Sequence, residues 1–219
     1  MSNKNLIIRK LGVIPYQVIL SSMHKFIKCR TIYTCDELWF LEHHCVFTQG
    51  KSSKPEHILK NENIPIVQSD RGGKTTYHGP GQQIIYVMLD IKRLGINIKE
   101  LMNILENVII ETLKYFSIES HLISNAPGVY INGEKICSVG LRVRHGYTFH
   151  GIALNINMDL NPFNYIIPCG FNKLKMTQLS LFKPKILLSD VYPILIKYFY
   201  KKLSFYFCYD KKILLNFIF

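Results

Sequence analysis

A chain of 219 residues, 48% hydrophobic and 19% charged, has the composition of a globular domain with a full core. Its net charge of +12 comes mostly from lysine, 21 of the 27 basic residues, with nine of those after residue 170, so the excess reads as a solvated surface rather than the arginine forks of a nucleic-acid face. No apolar run reaches the roughly 18 residues a bilayer demands, no export leader is apparent, and the six cysteines show neither a CxxC pair nor zinc-ligand spacing, so a cytoplasmic protein with reduced thiols, no metal, no membrane and no nucleic acid is expected.

Along the chain, Tyr16, Ile19, Met23 and Phe26 recur at helical spacing after Pro15, which predicts an amphipathic helix. "LWFLEHHCVFTQG" reads as one buried strand ending at Gly50. "NIPIVQSD" reads as a short strand running into a glycine-rich loop, residues 70–82, and "QQIIYVMLDI" as the strand leaving it. In "NIKELMNILENVIIETLKYF", Asn97 caps a helix with Glu100 three residues on, and Leu101, Ile104, Val108 and Leu113 turn inward. A run of strands follows, with Asn132-Gly133 and His145-Gly146 as hairpin turns. A last helix should start near Ser189. Strands and helices mix without strict βαβ alternation, which predicts an α+β class: a mixed β-sheet flanked by helices in a single domain. Apolar neighbours put Cys29, Cys45, Cys137 and Cys208 in the core, and Cys35 reads as an exposed thiol.

Three stretches carry chemistry. "DRGGKTTYHGPGQ" holds four glycines with Arg71, Thr76 and His78 between them, more than a plain turn requires. It is not a P-loop, because Gln68 stands where that motif needs its first glycine, and a strand–loop–strand setting offers phosphate no helix N-terminus. In "IIPCG", Cys169 sits in a loop between Pro168 and Gly170, where access permits reactivity. Lys135 follows a hairpin turn and opens the apolar strand "KICSVGL"; most such lysines are solvated. His150 beside Gly151 means little alone.

Taken in order, "LWFLEHHCVFTQG", "RGGKTTYHGPGQQIIYVMLD", "APGVYINGEKICSVGLRVR" and "FHGIALNINMDLNPFNYIIPCG" resemble the octanoyltransferases of lipoate biosynthesis, over about residues 6–180. The resemblance implies the fold of the biotin and lipoate protein ligases. It implies transfer of an octanoyl group from acyl carrier protein to a lysine of a lipoyl domain, with no cofactor. It puts the acyl-thioester nucleophile on Cys169 and the lysine that activates it on Lys135. Substrate-binding residues fall on Arg71, Gly72, Gly73, Lys74, Thr75, Thr76, Tyr77 and His78, on Ser138, Val139 and Gly140, and on Gly151, Ile152 and Ala153. An ammonium beside a thiol favours the thiolate. A lysine that later takes a proton from the attacking amine would need a value well below its ordinary one. Two rivals stand: an ATP-dependent ligase on the same fold, which has no use for a cysteine at "PCG", and a basic binding module without catalysis.

Overall fold

The computed structural model describes residues 6–171, 174–204 and 214–217. In chain order the elements are β1 (Leu6–Val13), α1 (Tyr16–Cys29), β2 (Asp36–Glu42), β3 (Val46–Gln49), β4 (Ile66–Gln68), β5 (Thr75–His78), β6 (Gln82–Met88), α2 (Ile91–Leu94) and α3 (Ile98–Tyr115). After them come β7 (His121–Ile123), β8 (Ala126–Ile131), β9 (Glu134–Arg144), β10 (Tyr147–Asn155), α4 (Leu188–Leu203) and β11 (Leu214–Phe217). Eight strands form a mixed sheet in the order β11-β1-β2-β6-β10-β9-β8-β7, and β4-β3-β5 form a small second sheet. The expected α+β class, a mixed sheet flanked by helices, is what the chain adopts.

Both faces of the large sheet are covered, so its central strands lose the apolar/polar alternation of a half-solvated sheet; all seven residues of β6 are buried. On one face α1 lays Ile19, Met23 and Ile27 against Trp39, Leu41, Ile84 and Tyr86. Ile27 takes the buried place expected of Phe26, which lies half-buried and edge-on to Trp39 at 5.6 Å. On the other face α3 and α4 bury Leu101, Leu105, Val108, Leu195 and Phe199 against β2, β6 and β9. The capping box of α3 forms as its sequence requires: Asn97 Oδ1 accepts from the Lys99 and Glu100 N–H groups, and Glu100 accepts from the Asn97 N–H. α4 begins at Leu188, one residue ahead of Ser189. Both hairpins carry left-handed backbone at their two central residues, Asn132 and Gly133 (φ 50° and 83°) and His145 and Gly146 (φ 55° and 91°), the geometry that matches strand twist.

Three expectations change. The buried stretch before Gly50 is two strands, because the chain leaves the large sheet at residues 43–45 to start the small one. His43 makes the break affordable inside the protein: Nδ1 donates to the Ile14 carbonyl at 2.6 Å, which leaves Nε2 to accept from the Tyr86 hydroxyl at 2.7 Å. Second, residues 75–78 are not loop but a buried strand, paired antiparallel to β3. Third, Cys29 and Cys45 are exposed, since α1 turns that face outward at its end and the β2–β3 break lifts Cys45 out; Cys137 is buried and Cys35 half-buried, and Cys208 lies outside the described residues. Among the described residues no helix is long and apolar enough to cross a membrane.

Candidate active site

Lys135 is the second residue of β9 and is 2% exposed. Its side chain crosses β8 at Gly128, whose φ of +126° few side-chain-bearing residues adopt; an added Cβ there would meet Lys135 Cε at 3.1 Å and the Cys137 carbonyl oxygen at 2.3 Å. The glycine is thus the lane through which the lysine reaches the site. Lys135 Nζ donates to the Pro127 carbonyl at 2.9 Å and to Cys169 Sγ at 3.4 Å, with the Tyr130 ring centroid 5.2 Å away. The backbone fixes the pair from both sides. The Lys135 N–H donates to the Lys175 carbonyl and its carbonyl accepts from the Thr177 N–H, each at 2.9 Å, so the segment just beyond Cys169 lies along the start of β9.

Cys169 is the middle residue of a single 3-10 turn, residues 168–170, and holds φ 56°, ψ 11°. A non-glycine residue in left-handed backbone is held there by its surroundings, and such strain concentrates at functional sites. The turn is pinned by the Ile167 N–H on the His57 carbonyl at 2.8 Å and by its own closure, Gly170 N–H to Ile167 carbonyl at 3.0 Å.

The pair opens onto a cavity of about 430 Å³ walled by the 71–74 loop, β5, β6, β9, β10 and the first turn of α3. Arg71, Lys74 and Lys135 line it, and among the described residues no aspartate or glutamate does. The loop is laced to its surroundings by main-chain bonds: Gly72 N–H to the Leu141 carbonyl, Lys51 N–H to Arg71 and Ser52 N–H to Gly73. Arg71 runs beneath it, buried, giving its protons to the Thr48 carbonyl (2.7 Å), Thr48 Oγ1 (2.8 Å) and the Gly72 carbonyl (3.0 Å), all neutral acceptors. Burial pushes the guanidinium below its ordinary value, against the pull of Tyr16, Cys169 and Tyr86. From Thr48 a buried chain continues through His78 Nε2, Gln82 Oε1 on His78 Nδ1, Asn155 Oδ1 on Gln82 Nε2, and the Thr177 carbonyl on Asn155 Nδ2. It ends on the residue whose N–H holds the Lys135 carbonyl, so the two walls of the cavity share one polar framework.

At the loop's start, Asp70 Oδ1 accepts from His150 Nε2 at 2.8 Å and Oδ2 lies 3.3 Å from His24 Nε2. Burial alone would raise Asp70, but the two imidazoles outweigh it and hold the carboxyl at about 2. Burial likewise pushes His150 down, and the neutral ring that donates through Nε2 leaves Nδ1 a buried, unpartnered acceptor.

Of the residues singled out in the sequence, Arg71, Gly72, Gly73, Lys74, Thr76, His78, Lys135, Ser138, Val139, Gly140, Gly151, Ile152, Ala153 and Cys169 come together on this wall. Thr75 and Tyr77 do not; alternation along β5 turns them away, Thr75 toward Ser53 and Tyr77 against Phe47 and Phe163 with its hydroxyl on Cys45 Sγ. Burial pushes the Lys135 ammonium down, but Cys169 and Tyr130 beside it raise it further, and the net value lies above the ordinary one, not below as the sequence suggested. Tyr16, Tyr86 and Gly128 escaped sequence reasoning. The tyrosines look like ordinary core at helical and strand spacing, and only the lysine crossing the glycine gives Gly128 a purpose.

The family model described as the lipoyl protein ligase A/B catalytic domain matches residues 16–200. An octanoyltransferase of Yersinia pestis (strain Pestoides F) is 49% identical over 205 residues, covering 94% of this chain and 88% of that relative. Among solved structures, a lipoate-protein ligase A bound with ATP superposes with a TM-score of 0.77 at 14% identity, covering 98% of this chain and 89% of the other. A biotin protein ligase from Aquifex aeolicus in complex with biotin and ATP superposes with a TM-score of 0.58 at 15% identity, covering 94% and 72%. The ligases share the fold; the sequence likeness is to the transferases. The chain belongs to the octanoyltransferases of the lipoyl protein ligase A/B catalytic family.

Proposed function

We propose that this chain moves an octanoyl group from the pantetheine thioester of acyl carrier protein to a lysine amine on a lipoyl domain, in the cytoplasm, through a thioester on Cys169. The observation that carries the reading is the Cys169–Lys135 contact of 3.4 Å on the wall of a mostly apolar cavity. In the first half-reaction Sγ attacks the donor carbonyl carbon, forming a new C–S bond. The tetrahedral oxyanion collapses, the pantetheine C–S bond breaks, and the departing thiolate takes the Lys135 proton. In the second, the acceptor amine attacks the acyl-enzyme, its proton passes to Lys135, and Cys169 leaves as thiolate beside the restored ammonium. Thioester to amide is downhill, so the reading asks for no ATP.

The apolar wall, with Ile84, Val139, Ile152 and Ala153, suits the tail: burying seven carbons at about 0.8 kcal/mol each amounts to roughly 6 kcal/mol of binding. The half-exposed Lys74 at the cavity, with no aspartate or glutamate among the described lining residues, supports acidic protein partners. The test is intact mass after mixing the protein with octanoyl-acyl carrier protein and no ATP, with Cys169→Ala alongside. An octanoyl adduct on the wild type alone, discharged by a lipoyl domain, is expected. Lipoyl-domain modification only with ATP and free octanoate would replace the transferase reading with the ligase.

A further inference from the structure

The buried face of α3 is apolar except at Glu106, which is 7% exposed, and Thr112. Glu106 Oε1 accepts from the Gly128 N–H at 2.8 Å. That N–H belongs to the peptide group whose carbonyl, on Pro127, accepts from Lys135 Nζ at 2.9 Å. One peptide unit therefore stands between a buried carboxylate and a buried ammonium, its N–H end on the anion and its C=O end on the cation. The peptide dipole is aligned with the field of both charges, and hydrogen bonds in such a series polarise one another, by roughly 10–30% per bond. The same peptide begins the glycine lane described above, so whatever fixes it also fixes the path of the lysine.

We infer that Glu106 is a positioning residue for Lys135, acting through the Pro127–Gly128 peptide to aim the amine at Cys169 and to hold a proton on it. Glu106 does not line the cavity, so it neither touches substrate nor carries a reacting proton. The titratable groups around the amine are Cys169 from its turn, Tyr130 from β8, Cys137 from its own strand and Glu106 from α3, with Lys74 packed beside Gly170. The charge on Glu106, one peptide away from the amine, is one that acylation of Cys169 leaves in place. In the second half-reaction it keeps the amine a proton acceptor strong enough to deprotonate the incoming lysine.

The inference rests on the proposed role of Lys135, but its test involves no acyl transfer, so the two fail separately. Glu106→Gln keeps an oxygen for the Gly128 N–H and removes only the charge. In a Cys169→Ala background, the 13Cε resonance of Lys135, assigned by its loss in Lys135→Arg, is followed from neutral to alkaline pH with and without Glu106→Gln. The titration midpoint should fall by about half a unit or more when the charge is removed. Superimposed titrations would overturn the inference. Glu106→Leu, which removes the acceptor as well, should also broaden or split the Lys135 resonance as the amine loses its fixed place. A single sharp resonance at the Glu106→Gln position would reduce Glu106 to a charge without a positioning role and overturn that half of it.

Discussion

Adding one methyl group at Gly128 tests whether the lane through β8 sets the chemistry. Alanine there meets the Cys137 carbonyl oxygen at 2.3 Å, about 1 Å inside ordinary contact, and must hold φ +126°. Backbone strain of this kind costs about 1–3 kcal/mol and forced overpacking about 1–3 kcal/mol more. The sum of about 2–6 kcal/mol leaves most domains folded at room temperature. Relief requires β8 and β9 to part by about 1 Å, and that moves either the Pro127 carbonyl or Lys135 itself. A misplacement of that size costs on the order of 10²-fold in rate. Gly133→Ala is the control: φ is +83° there too, but nothing lies within 4 Å of the added carbon, so strain comes without collision. Single-turnover loading from octanoyl-acyl carrier protein, read by intact mass, should slow about 10²-fold in Gly128→Ala and little in Gly133→Ala. Chemical denaturation should register a loss in both. Loading within about threefold of wild type in a folded Gly128→Ala protein would refute the claim that this glycine guides the lysine.

Arg71→Met removes a buried cation that has only neutral acceptors; stability should change by less than about 2 kcal/mol, since desolvation relieved offsets bonds lost to Thr48, while loading falls at least about tenfold. A large loss of stability with normal loading would make Arg71 a structural residue only. Asp70 is depressed to about 2, so its contribution to folding is present above its unfolded value near 3.9 and disappears as pH falls through about 2. Acid unfolding of Asp70→Asn should therefore depend on pH less steeply than that of the wild type between about 4 and about 2, and identical acid limbs would contradict the assignment. High salt should slow transfer from the carrier-protein donor more than from a small octanoyl thioester; equal slowing would remove charge steering from the reading.

What the sequence makes legible is local. The Asn97 capping box and the Asn132-Gly133 turn depend on residues within four positions of each other, and both form as written. The break at residues 43–45 does not, because its cause is distant: His43 finds its partners in Ile14 and Tyr86, 29 and 43 positions away. Residues 75–78 looked like loop for the same reason, since only pairing with β3 makes them a strand. For the site, the glycine loop, Cys169 and Lys135 could be picked out by residue type and resemblance. Their meeting across 34 positions, and the part Gly128 and Glu106 play in it, belongs to the fold.

The electrostatics of Lys135 explain how one amine could serve both halves of the proposed reaction. Burial opposes the ammonium throughout, while Cys169 and Tyr130 favour it strongly enough to win in the free enzyme. In the proposed reaction the sulfur, once in a thioester, can carry no charge, and the foremost of those two supports is gone. The burial penalty is unchanged, so the balance moves toward the neutral amine at the moment a base is required. When the new amide leaves, the thiolate returns and the ammonium is favoured again. In the proposed reaction, the proton affinity that seemed wrong for a base in the free enzyme suits an acid, and loading of the acyl group turns one into the other. A lysine at the surface, screened by water, would feel little of this exchange; at 2% exposure Lys135 is not screened in that way.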